Sequence, residues 1–357
     1  MRVVFTGGGT LGHALPNIAI IEEVRRLKPD CEIFYIGSRS GPEKQICESA
    51  GISYKGIFAG KFRRYFSVSN FIDIFKFPIG LLQAVIILKK FRPSVVFSKG
   101  GFVAVPVVIA AKMRKIPVII HEADAVPGLA NKISSWFANK ICVTFPESGS
   151  GFNAILTGMP VRKMIFEGDA EIGRKLMNIK NERPVILVMG GSLGAESINK
   201  ALWNNLPCLL RHFNIIHITG RGKTGIKAIH DKLDNYRQIE YSDAELPHLY
   251  AMSSLVVSRA GASAIAEIAA LKKPSLLIPL GTKASRGEQV ENANYMKSIG
   301  ASGVIYPNEN LHEELAKRII ALISDKKNLA AMSAACRVFG ELCKNAALKL
   351  AELILSA

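Results

Sequence analysis

The sequence has no long apolar run, no paired cysteines and few acidic residues. No segment reaches the roughly 18 consecutive apolar residues that a membrane-spanning helix needs. The six cysteines form no Cys-x-x-Cys pair and no Cys/His spacing typical of a metal site, so we expect reduced thiols in a cytosolic protein. The first residues run directly into an apolar strand and a glycine-rich turn, which predicts no secretory signal.

The shortage of acidic residues leaves the chain strongly basic. It carries 29 Asp and Glu residues against 46 Lys and Arg residues, a formal net charge of +17. An excess of this size indicates an anionic partner. Nucleic acid, a phosphorylated ligand and an anionic lipid surface all satisfy that requirement.

The chain of 357 residues is long for one core and fits two domains. Both halves open with an apolar strand, a glycine-rich turn and a helical pattern, and Gly9-Thr10-Leu11-Gly12 recurs as Gly191-Ser192-Leu193-Gly194. This repetition predicts an α/β protein of two Rossmann-like domains facing each other across a cleft. We place the domains at residues 1–160 and 161–340, and a C-terminal helix at 341–357 is a candidate to pack back on the first domain.

Short apolar runs predict the strands of both sheets. They lie at 1–6, 31–37, 94–97, 117–121, 141–145, 185–189, 215–219, 238–241, 255–257 and 275–279. Residues 281–292 form a polar stretch that predicts a long binding loop. Apolar residues at helical spacing predict helix over the last 45 or so residues.

The stretch from Val256 to Pro279 predicts an anion site. An apolar strand ends there, and a helix begins beside Gly261 with Ala262 and Ser263 in its first turn. The start of a helix presents unpaired N–H groups and a partial positive charge. Glu267 lies one turn further on the same face as Ser263. A phosphate at the helix start and ribose hydroxyls on the carboxylate would suit a nucleotide.

The first glycine-rich turn is weaker evidence for a nucleotide. Gly7-x-Gly9-x-x-Gly12 matches the dinucleotide pattern, but the acidic residue expected after the second strand is replaced by Ser38-Arg39-Ser40. His13 follows this turn directly. It either packs locally at the helix start or faces a ligand crevice, where such turns lie in open α/β sheets.

The segment 61–92 interleaves cations with aromatic residues. Three interpretations stay open: a membrane–water interface, a core helix with a solvated basic end, and a single-stranded nucleic-acid surface. Its apolar part, 77–88, is too short to span a bilayer. The candidates for the membrane surface are Lys61, Phe62, Arg63, Arg64, Tyr65, Phe75, Lys76 and Phe77.

Six colinear motifs resemble those of the MurG family, the glycosyltransferase family 28 enzymes that convert lipid I into lipid II. The motifs are 8-GGTLGH-13, 99-KGGFV-103, His121-Glu122-x-Asp124 with 127-PGLAN-131, Gly158-x-Pro160-Val161-Arg162, 190-GGSLG-194, and 258-SRAG-261 with Glu267, together with Gln289 and Asn292-Ala293. The resemblance runs from residue 1 to about residue 305. It implies a GT-B fold and an inverting, metal-independent transfer of N-acetylglucosamine from UDP-N-acetylglucosamine (UDP-GlcNAc) to the 4-hydroxyl of the muramoyl sugar of lipid I.

The resemblance also implies which residues bind the donor. Thr10, Leu11, Gly12 and Asp124 are expected on the donor side of the cleft. Arg162 and Ser192 would bind the nucleotide, and Gly261, Ala262 and Ser263 would bind the diphosphate. Glu267 would bind the ribose, and Gln289 would bind the sugar hydroxyls. No cofactor is expected.

Inverting transfer requires a base and a stabiliser for the departing diphosphate. His13 is the first choice for the base, since an unperturbed imidazole has a pKa of about 6.5. Glu122 and Asp124 are the alternatives.

Three positions depart from the family pattern. Leu11 fills a position that is usually small, Asp124 stands where the family commonly has Asn, and Glu288 stands where a second Gln is frequent. Leu11 bears on the width of the cleft, Asp124 on the charge near the acceptor, and Glu288 on one contact to the sugar.

The expected partners are UDP-GlcNAc, lipid I and an anionic membrane surface, with other cell-wall synthesis proteins as further candidates and no nucleic acid. The expected location is the cytoplasmic face of the cell membrane. Two rival functions remain: another GT-B enzyme, such as a glycolipid transferase or the non-hydrolysing UDP-GlcNAc epimerase, and a binding protein without catalysis.

Overall fold

The computed structural model describes residues 1–9, 11–60, 68–149, 153–191, 194–225, 233–281 and 285–357. The chain divides into two compact units. The first contains Met1–Arg162 together with Lys344–Ala357, and the second contains Lys163–Cys343. Among the described residues, no helix combines the length and the apolar character needed to cross a membrane.

The first unit is a parallel sheet of seven strands in the order β3-β2-β1-β4-β5-β6-β7. The strands are β1 (Arg2–Thr6), β2 (Glu32–Ser38), β3 (Ser53–Ile57), β4 (Val95–Ser98), β5 (Val118–Glu122), β6 (Lys140–Val143) and β7 (Ala154–Leu156). The helices are α1 (Leu11–Leu27), α2 (Glu43–Ser49), α3 (Val68–Phe91), α4 (Ala104–Met113) and α5 (Leu129–Ser135).

The second unit repeats the plan with six parallel strands in the order β10-β9-β8-β11-β12-β13. The strands are β8 (Val185–Met189), β9 (Asn214–Ile218), β10 (Tyr236–Ile239), β11 (Leu255–Ser258), β12 (Ser275–Leu277) and β13 (Ser302–Val304). The described helices are α6 (Ala170–Leu176), α7 (Glu196–Leu209), α8 (Leu246–Met252), α9 (Ala262–Ala270), α10 (Glu288–Ser298), α11 (Leu311–Ser324) and α12 (Lys326–Leu355). Two doubly wound parallel sheets confirm the predicted Rossmann-like domains.

Helices bury both faces of the first sheet. One core contains Phe5 and Phe97 from β1 and β4 together with Leu350 and Ile354 from the end of α12. The C-terminal helix therefore completes the core of the unit that begins the chain. On the other face, α3 and α4 pack against β1, β4 and β5.

Strand order reverses between β1 and β4 in the first sheet and between β8 and β11 in the second. Such reversals open a crevice at the carboxyl ends of the strands, where open α/β sheets bind ligands. Most of the residues predicted to bind the donor lie in the loops that follow β1, β8 and β11 or in the first turns of the helices after them.

The predicted elements need several corrections. The sequence patterns missed β3, β7 and β13, which are outer strands: β3 and β13 contain polar residues and glycine, and β7 has only three residues. β10 begins at Tyr236, two residues before the predicted strand. The loop predicted at 281–292 is wrong in its second part, because α10 begins at Glu288.

Helix α3 has one face in the core and one apolar face exposed. Ala84 and Leu88 are fully buried. Ile79, Leu82 and Ile86 lie at helical spacing, and their exposed fractions are 48%, 61% and 57%. The helix is thus a core helix, but its exposed face is not the charged face that a solvated helix normally presents.

Candidate functional site

In the first unit, strand register brings three loops together. Thr6 pairs with Ser98, and Ser98 pairs with Ile120, so the residues that follow β1, β4 and β5 leave the sheet side by side. These are the glycine-rich turn, the segment that begins at Lys99, and the loop that contains Asp124.

A cavity of about 440 Å³ opens beside the glycine-rich turn. Gly8, Gly9 and the loop after β2 form part of its wall, and the end of β3 forms another part. Arg39 and Lys76 give the lining two cations. The Arg39 guanidinium lies over the Phe58 ring, 4.4 Å from its centroid.

The predicted residues around this turn are only partly described. Leu11 begins α1, Gly12 is exposed and His13 is half-buried in the first helical turn. Thr10 lies outside the described residues. The structure therefore places His13 at the carboxyl edge of the sheet.

Glu122 is not placed to act as a base. Its side chain is buried, and its Oε1 accepts hydrogen bonds from the N–H groups of Ala123 (2.8 Å) and Asp124 (3.0 Å). Its Oε2 accepts from the Gly128 N–H (3.1 Å) and the Asn131 side chain (2.8 Å). Burial raises the pKa of the carboxyl, and these hydrogen bonds oppose the rise. With its acceptor positions occupied, Glu122 holds the loop, which corrects its place among the base candidates.

Asp124 is half-buried, and its backbone is fixed from two sides. Its N–H donates to Glu122, and its carbonyl oxygen accepts from the Ser148 hydroxyl at 2.8 Å. Burial holds the pKa of the neighbouring His121 well below its usual value. A neutral His121 donates from Nε2 to the Gly158 carbonyl oxygen, 2.9 Å away. The described hydrogen bonds of this motif therefore mainly fix the conformation of the loop.

Lys99 is a buried cation at this edge. Its side chain is fully buried, and Nζ has no hydrogen-bond partner among the described residues. Burial lowers the pKa of the Lys99 ammonium to about 8, against the opposing charges of Glu122 and Asp124. A buried charge held in this way costs folding free energy.

In the second unit, α9 begins where the sequence predicts. Gly261 caps it in an extended conformation, and no side chain among the described residues bonds the first N–H groups of the helix. Ala262 is buried, whereas Gly261 and Ser263 are half-buried. The Arg259 guanidinium fixes the preceding loop by donating to the carbonyl oxygen of Ile278 (3.0 Å) and the hydroxyl of Ser197 (2.7 Å).

Glu267 is half-buried on α9 and accepts a hydrogen bond from a tyrosine. The hydroxyl of Tyr250, a fully buried residue on α8, lies 3.1 Å from Glu267 Oε2. Because the tyrosine is rigid and packed in the core, it restricts the directions in which the carboxylate can point.

Helix α10 ties the neighbouring loops together. The Asn292 side chain is fully buried and donates to the Ala260 carbonyl oxygen at 3.1 Å. Gln289 Oε1 accepts the Leu280 N–H at 3.1 Å, which leaves its amide N–H groups for another partner. Glu288 accepts a hydrogen bond from the Arg286 N–H at 2.8 Å and therefore stabilises the turn before the helix.

Two further predicted residues are less informative. Ser192 lies outside the described residues. Arg162 is the last residue of the first unit and is half-buried. The structure thus groups the α9 residues with Gln289 in one unit, and His13 with Asp124 in the other.

Two family models match the chain: the glycosyltransferase family 28 N-terminal domain over residues 3–143 and the glycosyltransferase family 28 C-terminal domain over residues 185–352. The chain belongs to glycosyltransferase family 28. The resemblance drawn from the six motifs is thereby confirmed.

A Clostridium botulinum family member is 48% identical over 331 residues, which cover 92% of this chain and 91% of that protein. Its name is UDP-N-acetylglucosamine--N-acetylmuramyl-(pentapeptide) pyrophosphoryl-undecaprenol N-acetylglucosamine transferase.

Solved structures share the fold. Acinetobacter baumannii MurG superposes with a TM-score of 0.77 at 23% identity, covering 100% of this chain and 99% of that one. A UDP-GlcNAc 2-epimerase from Neisseria meningitidis, in a structure bound to UDP-GlcNAc, gives a TM-score of 0.68 at 15% identity and full coverage of both chains. The fold by itself therefore does not separate a transferase from an epimerase.

Sequence reasoning missed Glu43, Lys99 as a buried charge, and Tyr250. Lys99 lies directly before Gly100-Gly101 at a strand end, which was an available signal. Glu43 and Tyr250 gave no local signal, because their partners lie elsewhere in the chain.

We predict that Lys99→Met stabilises the protein at pH 7 by up to roughly 3 kcal/mol, the free energy that corresponds to lowering the pKa of a buried lysine from 10.5 to about 8. The folded-state pKa lies below the unfolded-state pKa, so the unfolded chain binds more protons between pH 8 and 10.5. The free energy of unfolding of the wild type therefore rises relative to that of the variant as pH rises through that window, and the advantage of the variant shrinks.

Denaturant unfolding at pH 7, 8, 9 and 10 measures the difference between variant and wild type. Lys112→Met, at an exposed lysine, is the control and should show no such trend. A difference for Lys99→Met that is independent of pH would contradict the prediction.

Proposed function

We propose that this family 28 chain transfers N-acetylglucosamine from UDP-GlcNAc to the 4-hydroxyl of the muramoyl sugar of lipid I, forming lipid II with inversion and without an obligatory metal. The observation that carries the proposal is the 48% identity to the Clostridium botulinum transferase over 92% of this chain. The fold agrees with it but does not distinguish it from related enzymes.

The second unit holds the donor in this proposal. The uncapped N–H groups at the start of α9 receive the diphosphate, and the helix dipole stabilises the charge that UDP acquires as it leaves. Glu267, held by Tyr250, accepts hydrogen bonds from the ribose hydroxyls. The free amide of Gln289 donates to the sugar hydroxyls.

The first unit holds the acceptor. Its cavity beside the glycine-rich turn is lined by Arg39 and Lys76, and two cations suit the diphosphate of lipid I. His13 takes the proton of the attacking hydroxyl, because it lies at the carboxyl edge of the sheet and a neutral imidazole nitrogen can accept a proton. Asp124 is the remaining alternative for the base.

The exposed apolar face of α3 rests on the cytoplasmic face of the cell membrane in this proposal. Ile79, Leu82 and Ile86 lie along it, and the exposed Lys89 and Lys90 follow at the end of the helix. An apolar stripe with adjoining cations suits the interface of an anionic leaflet, and the net charge of +17 favours the same surface. Phe75 lies within α3, and Lys76 and Phe77 are half-buried in it, whereas residues 61–65 lie outside the described residues.

The central test is turnover of labelled UDP-GlcNAc by the purified chain with and without lipid I, in buffer containing EDTA. We expect label in lipid II only when lipid I is present. Conversion of UDP-GlcNAc in the absence of lipid would instead indicate the epimerase, and absence of conversion in both cases would indicate a binding protein.

The same assay identifies the base. We predict that His13→Ala lowers kcat by about 100-fold or more, because a positioned base contributes this much to proton transfer. Asp124→Asn should retain most of the activity, since the family commonly has Asn at this position. Circular dichroism verifies folding. Near-normal kcat for His13→Ala, with a large loss for Asp124→Asn, would move the base to Asp124.

Donor recognition can be tested at the Tyr250 hydroxyl. We expect Tyr250→Phe to raise KM for UDP-GlcNAc about threefold to tenfold with little change in kcat, since one hydrogen bond to Glu267 is lost. Tyr236→Phe is the matched control, because its hydroxyl bonds His217 inside the core at 2.8 Å. It should lower stability but leave KM unchanged.

A donor analogue that lacks the ribose hydroxyls sharpens this test. With it, Tyr250→Phe and wild type should have the same KM, because Glu267 has no hydroxyl to bind. Equal KM effects from Tyr250→Phe and Tyr236→Phe would show that Tyr250 serves stability alone.

Membrane binding can be tested on the exposed face of α3. We expect Leu82→Ser combined with Ile86→Ser to weaken sedimentation with phosphatidylglycerol vesicles about tenfold or more, since both lose apolar area that the interface would bury. Lys76→Glu should weaken it most at low salt. Ile172→Ser, at an exposed apolar residue of the second unit, is the control. Unchanged sedimentation of the α3 variants would contradict the proposed surface.

A further inference from the structure

Glu43 is a buried carboxylate beside the glycine-rich turn of the first unit. It is the first residue of α2, and its side chain is fully buried. A carboxylate is seldom buried completely unless its oxygens are hydrogen-bonded. The partners of Glu43 are therefore informative about its role.

The carboxylate joins two loops that leave neighbouring strands. Oε1 accepts hydrogen bonds from the N–H group of Ser38 (2.8 Å) and from its hydroxyl (2.6 Å), at the end of β2. Oε2 accepts the N–H group of Gly9 at 3.3 Å, in the turn after β1. The Tyr54 hydroxyl donates to the Ser38 carbonyl oxygen, which connects the end of β2 to β3.

Three glycines leave the space that this side chain occupies. A Cβ atom at Gly8 or at Gly41 would overlap the Glu43 carboxyl group, and one at Gly37 would meet both Tyr54 and Glu43. Gly8 and Gly37 belong to different strand ends, and Gly41 lies just before α2. The local chain is thus built closely around one carboxylate.

Glu43 stands behind the wall of the 440 Å³ cavity. Gly8, Gly9, Ser38 and Gly41 all line that cavity, and all four lie against the Glu43 side chain. Displacing the carboxylate would move the wall, and with it the turn that leads into α1 and His13. The effect would reach the cavity without a direct contact between Glu43 and a ligand.

We propose that Glu43 is a positioning residue for the acceptor half of the reaction. It holds the glycine-rich turn, and therefore the cavity wall and the start of α1, in the geometry that receives the anionic head group of the acceptor. This inference rests on the proposed function, in which the first unit binds the acceptor.

Two substitutions disturb the same contact in different ways. Glu43→Gln keeps the shape but places an amide donor against N–H or O–H donors of Gly9 or Ser38. Gly41→Ala keeps the charge but pushes the carboxylate aside. Glu48→Gln is the matched control, because Glu48 is an exposed residue of the same helix and forms an ion pair with the exposed Lys44 at 3.8 Å.

The experiment measures kcat and KM for lipid I, the Kd for UDP by calorimetry, and thermal stability. We expect both Glu43→Gln and Gly41→Ala to lower kcat/KM for lipid I about 10-fold to 100-fold and to leave the Kd for UDP within twofold of wild type. Glu48→Gln should match wild type in all measurements. A purely structural role would lower stability without this separation of acceptor from donor.

Wild-type kcat/KM for lipid I in a folded Glu43→Gln protein would overturn the inference, as would an equal loss of UDP affinity. If Glu43→Gln does not fold, Gly41→Ala and the milder Ser38→Ala decide the question by the same criteria. Failure of the wild-type chain to use lipid I would instead refute the proposed function.

Discussion

The loops at the carboxyl edge of the first sheet depend on two buried carboxylates that accept hydrogen bonds from backbone N–H groups. Glu43 holds the glycine-rich turn to the end of β2, and Glu122 holds the loop that contains Asp124. Hydrogen bonds to an ionised acceptor are stronger than neutral ones, and they offset the cost of removing the carboxylate from water. Each carboxylate thus fixes a loop that helices and strands alone would leave free, and the loops joined by Glu43 form part of the cavity wall.

The second unit also holds its loops with side-chain hydrogen bonds, but the side chains are donors instead of carboxylate acceptors. Asn292 holds the Ala260 carbonyl oxygen, and Arg259 holds that of Ile278. These side chains donate to carbonyl oxygens, and no side chain among the described residues caps the first N–H groups of α9. In the first unit, by contrast, the N–H group of Gly9 is already bonded to Glu43.

A buried asparagine occupies the same position after the glycine-rich turn in both units. Asn17 and Asn199 each lie five residues after the last glycine of the repeated tetrad, and both are buried. Asn17 donates to the Thr6 carbonyl oxygen at 3.3 Å, and Asn199 donates to that of Thr219 at 2.9 Å. In each unit, an amide therefore tethers the helix after the glycine-rich turn to a strand end, that of the preceding strand in the first unit and that of the following strand in the second. The repeat is visible in the sequence as glycines, but its hydrogen bonds appear only in the fold.

The sequence alone determined the strands that helices cover on both faces, such as β4, β8 and β11, because such strands are continuously apolar. It also determined the start of α9 and the family, since both rest on short local motifs. The tertiary structure alone decided the roles of the carboxylates. Past a strand end, a residue that faces a ligand and a residue that holds a loop look the same in sequence, and only burial and hydrogen-bond partners identified Glu122 as holding a loop. Glu43 gave no signal because Gly9, 34 residues away, reaches it only after β1 and β2 pair.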